Sequence, residues 1–208
     1  LGPDLMDLMK SQAVRWGTKL IESDVTSIKC IDKPFEITTL EEKIKSNSVI
    51  IATGASANRL GIINEEIFWS KGISACAICD GATPQFREAD LAVIGGGDSA
   101  CEEAVYLTKY GSKVHLIVRS NKLRASAAMI DRVHANPKIQ IHWNTSVTEA
   151  IGNEWLENIK TINLDSNQEV IKVKGLFYAI GHTPNTGFLK NQLEIDSKGY
   201  IKCESGRP

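Results

Sequence analysis

The sequence predicts an α/β protein built around a doubly wound parallel sheet, and three observations carry that prediction. Three apolar runs, Asp90–Ile94, Lys113–Arg119 and Lys138–Trp143, alternate with two stretches of helical length, Ser99–Tyr110 and Ala125–Ala135. The turn joining the first run to the first helix is glycine-rich, Gly95-x-Gly97-x-x-Ala100. No low-complexity segment and no repeat with a period of roughly 20–50 residues competes with this reading.

Composition narrows the class. The chain has 208 residues, 42% hydrophobic and 24% charged, with net charge −1, values of an ordinary globular protein of one large or two small domains. No basic excess points to nucleic acid, and no apolar run approaches the roughly 18–20 residues of a membrane-spanning helix. The opening from Leu1 has no charged-then-apolar signal layout and reads as the middle of a folded protein. Five cysteines (Cys30, Cys76, Cys79, Cys101 and Cys203) are too few and too irregular for a disulfide scaffold. A reducing compartment with one special pair fits them better.

Taken in order, Leu5, Leu8, Met9 and Trp16 fall near helical spacing, which predicts a core-packed amphipathic helix over 3–16 with Gly17 as its stop. Two strand-like stretches follow, punctuated by Pro34 and Asn47. The second ends in the run Val49–Ala52, which has the form of a strand buried on both faces. Residues 55–75 lack a period and read as a linker. After the parallel β-α-β-α-β pattern, residues 144–178 look antiparallel, with turn signals at Gly152-Asn153 and Ser166-Asn167. Trp69, Trp143 and Trp155 read as core or partly buried residues.

The glycine turn carries chemistry. Gly95 permits a tight turn, Gly97 lets the backbone approach a pyrophosphate, and Ala100 lets the helix pack close to the strand. The N–H groups of the first helical turn, around Asp98 and Ser99, then face the phosphates. Where a strand ending in Asp or Glu would bind a ribose diol, the second strand ends in Val118-Arg119-Ser120, with Lys122 and Arg124 behind. An arginine fork there suits a 2′-phosphate, so the expected ligand is NADP(H) rather than NAD(H).

Cys76 and Cys79 form a Cys-x-x-Cys pair with Asp80 directly behind. Zinc would need two further ligands at matching spacing, and the remaining Cys and His residues supply none. A purely structural disulfide does not suit a reducing compartment. A redox dithiol remains, one thiolate attacking and the other resolving, with Asp80 near enough to move a proton. A hydride donor and a thiol couple need an electron carrier between them, for which a flavin is the usual choice.

With these residues assembled, "CAICDG", "VIGGGDSACEEAVYLTKYGSKVHLIVR", "LRAS", "LFYAIGHTPNT" and "VIIATGA" resemble the low-molecular-weight NADPH-dependent thioredoxin reductases, in the same order over nearly the entire chain. "GPDLMDLMKSQAVRWG" and "EEIFWSKGISACAICDGA" are most similar to the plant plastid form that carries a fused thioredoxin domain. The resemblance implies a Rossmann-like NADP-binding domain inserted in an incomplete FAD-binding domain of the pyridine nucleotide-disulfide oxidoreductase type. Its boundaries are expected at 1–58 (part of the FAD-binding domain), 59–180 (NADP-binding domain with the CxxC) and 181–208 (start of the return). It also implies two states related by rotation about joints near 55–60 and 178–185. NADPH is expected at Gly95, Gly97, Asp98, Ser99, Ala100, Arg119 and Arg124, with Gly181 and His182 near the nicotinamide nucleotide and Thr53 and Gly54 at the FAD side. By the same resemblance Cys79 lies against the flavin, Cys76 attacks a thioredoxin disulfide and Asp80 is the acid. It implies a homodimer in the full-length protein and the chloroplast stroma, with the cytoplasm as the alternative.

Two departures qualify what the resemblance implies. The family's first glycine-rich unit and its C-terminal Gly-Asp motif have no counterpart here, so the chain is expected to be a fragment, inactive by itself. Ser120 stands where the family usually has a second arginine. Two other readings share the motifs: the flavoprotein subunit of an alkyl hydroperoxide reductase, and a truncated, flavin-free NADP-binding module without turnover.

Overall fold

The computed structural model describes residues 2–190 and 192–204, which divide into two compact units. One runs from Ala55 to Thr183; the other comprises the residues up to Gly54 and from Pro184 onward.

The central unit is organised by a five-stranded parallel sheet in the order β5-β12-β6-β7-β8. Its strands are β5 (Ile73–Ser74), β6 (Asp90–Ile94), β7 (Lys113–Val118), β8 (Ile139–Trp143) and β12 (Gly175–Tyr178). Their apolar runs are unbroken because both faces are covered. Leu91, Val93, Val114, Leu116, Val118 and Phe177 point to one face, where they pack with α3 (Ala77–Asp80), α4 (Asp98–Leu107) and α5 (Ala127–Ala135). Ala92, Ile94, Ile117, Leu176 and Tyr178 point to the other, against Val147, Ala150, Leu156, Ile159 and Ile171. That second layer is an antiparallel sheet of β9 (Thr145–Gly152), β10 (Leu156–Asn163) and β11 (Gln168–Lys172) in the order β11-β10-β9. The side chains alternate faces along β6 and β12 with the period of two that a pleated strand imposes. Each fully buried Leu, Val or Phe contributes about 1.5–3 kcal/mol.

Residues 55–75 are not a linker. They contain β4 (Ala55–Ala57), α2 (Glu65–Phe68) and β5, and β4 pairs with β13 (His182–Pro184). Ile63 bridges to Glu149 at the edge of β9, while Phe68 and Ile73 are buried to 2% and 1% exposure. The segment hid its packing from periodicity because single residues, not a repeating face, make the contacts.

The other unit holds α1 (Gly2–Arg15) and an antiparallel sheet of β1 (Val25–Lys29), β2 (Phe35–Thr39) and β3 (Lys43–Ser46). Gln192 ties its two chain segments together, accepting from the Cys30 amide at 3.0 Å and donating to the Ile28 carbonyl. Two expectations fail in this unit. Helix α1 forms where its periodicity predicts, yet none of its described residues is buried; Leu8 is 69% exposed. The run Val49–Ala52 is not a strand, and Ile50 is 92% exposed. A strand needs a hydrogen-bonded neighbour, and no described strand lies beside this run. Trp143 and Trp155 also correct the expectation, being 36% and 43% exposed, whereas Trp69 is partly buried. Among the described residues no helix is long and apolar enough to cross a membrane.

Candidate functional site

A cleft of about 710 Å³ opens at the carboxyl ends of β6, β7 and β12, entirely within the central unit. Its floor is the glycine turn. Gly95 has φ +145°, and a Cβ there would lie 2.6 Å from the Ala179 carbonyl oxygen and 2.8 Å from the Ala100 Cβ. Only glycine fits between strand β12 and helix α4. Ala100 is fully buried, so the helix start sits hard against the sheet. Gly97, by contrast, has open space on its Cβ side. It is the N-cap of α4 and provides no capping side chain, so the first-turn N–H groups keep their affinity for an anion.

Asp98 lines the cleft, and its carboxylate accepts from the Ser126 amide at 2.8 Å. That hydrogen bond, followed by one to the Ser126 side chain, holds its carboxyl below the usual carboxylate range. Arg124 is placed by its backbone, whose N–H donates to the Gly96 carbonyl at 2.6 Å, and by the buried Leu123 beside it. Arg119 and Arg124 both line the cleft at the end of β7, and neither has an acidic partner among the described residues. Ser120 lines it too, its hydroxyl donating to the Lys122 carbonyl at 2.9 Å.

The opposite end of the cleft contains residues that sequence reasoning missed. Asn58, Arg59 and Leu60 face Ala179 and Ile180 there. Asn58 donates from Nδ2 to the Ile180 carbonyl at 3.2 Å and accepts from the Thr183 hydroxyl at 2.7 Å. The Arg59 guanidinium lies 3.1 Å from the Trp69 ring centroid and pairs with Glu66 at 3.2 Å. The loop is pinned by Glu65, 5% exposed, which accepts from the amides of Leu60 at 3.0 Å and Gly61 at 3.2 Å and from the Tyr178 hydroxyl at 2.7 Å. Burial first, then the hydrogen bond to Glu65, pushes the Tyr178 phenol far above its ordinary range, so it stays a donor. No local pattern announces Asn58 or Arg59.

The cysteines form a second cluster. Cys76 and Cys79 are joined in a disulfide, with Cys76 as the N-cap of α3 and its sulfur accepting from the Cys79 amide at 3.2 Å. Cys76 is half-buried and Cys79 exposed. Ser74, at the end of β5, accepts from the Cys76 amide at 3.1 Å and donates to Asp80 at 2.5 Å. A Cβ on Gly81 would lie 2.7 Å from the Leu107 side chain, so α3 sits on the far end of α4. One helix therefore has the glycine turn at its start and packs near its finish against α3, the helix of the redox pair. From Asp98 to Leu107 the helix rises about 14 Å at 1.5 Å per residue.

Of the expected site residues, Gly95, Gly97, Asp98, Ser99, Arg119 and Arg124 line one cleft, with Ala100 beneath it. Cys76, Cys79 and Asp80 share α3. Gly181, with φ +88°, and the exposed His182 lie just past Ile180, outside the lining. Thr53 and Gly54 belong to the other unit, where Thr53 donates to the Asn185 carbonyl at 2.8 Å and Gly54 accepts from the Asn185 amide at 3.0 Å.

A glycine-turn cleft and a CxxC disulfide on one parallel-sheet unit define a class, and comparison with known proteins agrees: the chain belongs to the pyridine nucleotide-disulphide oxidoreductase family, which matches residues 8–206. Within it the chain is 51% identical to NADPH-dependent thioredoxin reductase 3 of Arabidopsis thaliana, over 99% of this chain and 39% of that protein. It is 49% identical to thioredoxin reductase 1 of Saccharomyces cerevisiae, over 99% of this chain and 66% of that protein. Among solved structures, thioredoxin reductase from Giardia duodenalis superposes with a TM-score of 0.79 at 41% identity, covering 96% of this chain and 66% of that one. The chain thus spans less than two thirds of the length of these relatives.

Proposed function

We propose that this chain is the NADPH-binding and redox-disulfide portion of a thioredoxin-disulfide reductase. The observation that carries the reading is the shared helix: α4 presents an N-terminus without a capping side chain, flanked by Arg119 and Arg124, and its other end packs against α3, the helix of the Cys76–Cys79 disulfide.

The residues fit an NADP nucleotide. Gly97 admits a pyrophosphate against the backbone, and the two arginines match the dianion of a 2′-phosphate. A hydride donor and a disulfide call for an electron carrier between them, chemistry that FAD would supply when bound. Thr53, Gly54, Gly181 and His182 are the residues proposed near the cofactors beyond the cleft.

Reducing the Cys76–Cys79 bond consumes two electrons and two protons. Asp80, adjacent in sequence and held by Ser74, is placed to take up a proton from solvent and pass it to a departing thiolate. The dithiol then attacks a thioredoxin disulfide, Cys76 forming the mixed disulfide and Cys79 resolving it. Homodimer formation and placement in the chloroplast stroma rest on the resemblance to the plant form, with the cytoplasm as the alternative compartment.

The test is direct. Purified chain is incubated with FAD, desalted and examined by absorbance, then mixed with NADPH and oxidised thioredoxin. Retained flavin that bleaches with NADPH and yields thioredoxin thiols supports the proposal for the chain as it stands. Failure of the chain to bind NADP⁺ in any form would sink it.

A further inference from the structure

The cleft's cations are unevenly placed. Arg119 and Arg124 stand at the end of β7, while the lining near β12 is Leu60, Ile94, Ala179 and Ile180, with Arg59 as the one cation among the described lining residues there. A dinucleotide laid across the carboxyl edge has its pyrophosphate at the start of α4 and its two nucleoside halves on either side. If the arginines on β7 take the 2′-phosphate of the adenosine half, the nicotinamide half runs towards β12 and Arg59.

Arg59 is built to wait there. The Trp69 face fixes the plane of its guanidinium, and Trp69 is itself held edge-on by Tyr178 at 5.8 Å. Glu65 anchors the backbone immediately after Arg59 through two amides, tying it to the same β12 that forms the cleft wall. The pairing with Glu66 uses one nitrogen of the fork, and Glu66 is 80% exposed, so that bond is weak and exchangeable. Arginine keeps further donors for a ligand.

We infer that Arg59 is an anion contact for the nicotinamide half of the dinucleotide, its fork donating to the pyrophosphate oxygen on that side. This rests on the NADP reading of the cleft and adds a residue that acts independently of the 2′-phosphate. Arg59 therefore governs affinity for any nicotinamide dinucleotide, while Arg119 and Arg124 govern the choice between NADP(H) and NAD(H).

Ligand dissection tests it on the chain as it exists. Calorimetric titrations compare NADP⁺ with adenosine 2′,5′-bisphosphate, which has the 2′-phosphate but lacks the nicotinamide half, on the unaltered chain, Arg59→Gln and Arg119→Gln. Arg59→Gln is expected to weaken NADP⁺ about tenfold, the worth of one charge-assisted hydrogen bond, and to leave the bisphosphate within about twofold. Arg119→Gln is expected to weaken both ligands alike. Equal losses of both ligands in Arg59→Gln would show that Arg59 only shapes its loop, and undiminished NADP⁺ binding would show that it touches no ligand; either overturns the inference alone. If the unaltered chain binds neither ligand, the NADP reading itself fails.

Discussion

The Ser74 hydroxyl donates to the Asp80 carboxylate at 2.5 Å while accepting from the Cys76 amide at 3.1 Å. One side chain thus locks the acid beside the cysteine pair to the start of the redox helix. Asp80→Asn is expected to slow reduction of the Cys76–Cys79 bond by dithiothreitol at neutral pH on the order of a hundredfold, the usual worth of a positioned proton donor. Ser74→Ala, which frees the carboxylate without removing it, should slow it roughly tenfold. Quenched thiol counting measures both, and equal rates in all three proteins would remove Asp80 from the chemistry.

Gly95→Ala tests the cradle. Its Cβ would collide with the Ala179 carbonyl and Ala100 at φ +145°, so about 2–3 kcal/mol of stability should be lost. Thermal unfolding monitors the loss, and NADP⁺ affinity should fall with it. An alanine tolerated at full stability would contradict the packing described.

Ser120 lines the cleft where a further arginine would add a fork to the 2′-phosphate site. Ser120→Arg should tighten NADP⁺ binding about tenfold and leave NAD⁺ unchanged. Titration of both nucleotides reads the ratio. A gain for both would mean general electrostatic attraction instead.

Glu103 on α4 has an Oε2 buried without a partner, and burial, then the charge of Glu102, raises its carboxyl to about 7. The folded state therefore holds this proton more tightly than the unfolded one. The stability it gives is full below the unfolded value near 4.5 and is lost as pH rises through about 7. Glu103→Gln should remove that loss and stabilise the protein at pH ~8 by about 1–2 kcal/mol, discounted for partial exposure. Urea titrations at pH ~5 and ~8 check the sign, and an equal effect at both would refute it.

His115 on β7 and the half-buried His142 on the edge strand β8 approach ring to ring at 2.9 Å between Nδ1 and Nε2. Burial holds both below the ordinary histidine range, with the neighbouring His142 charge as the next cause for His115. Depressed histidines give stability above their unfolded value near 6.5, lost as pH falls through the lowered one. His142→Gln keeps a partner for His115 but removes one titrating ring, so it should flatten the acid limb of the urea midpoint. An unchanged limb would assign acid sensitivity elsewhere.

Local pattern made the parallel β-α-β-α-β region readable. In β6, α4 and β7 the apolar residues recur with the period of the element, and the burial of Leu91, Ala100 and Leu116 follows. The glycine turn, the arginines beyond β7 and the CxxC pair were equally readable, because each needs particular residue types at short spacing. Periodicity misled where burial depends on what lies alongside. The stripe on α1 and the run Val49–Ala52 have the pattern of covered elements, yet none of their residues is buried. The segment holding Phe68 and Ile73 has no pattern and is packed.

The sequence alone determined which chemistry to expect of the chain: a glycine turn suited to a dinucleotide, an arginine pair suited to a phosphate, and a CxxC pair with an acid behind it. Only the tertiary structure decided how these are arranged. It put the glycine turn at the start of α4 and α3 against its finish, joined Asp98 to Ser126, stacked Arg59 of the cleft on Trp69, and tied that loop to β12 through a buried Glu65–Tyr178 bond spanning 113 positions of chain. Motif chemistry is local, encoded in neighbours along the chain. Distances between motifs come from packing among residues far apart in sequence, which no local pattern records.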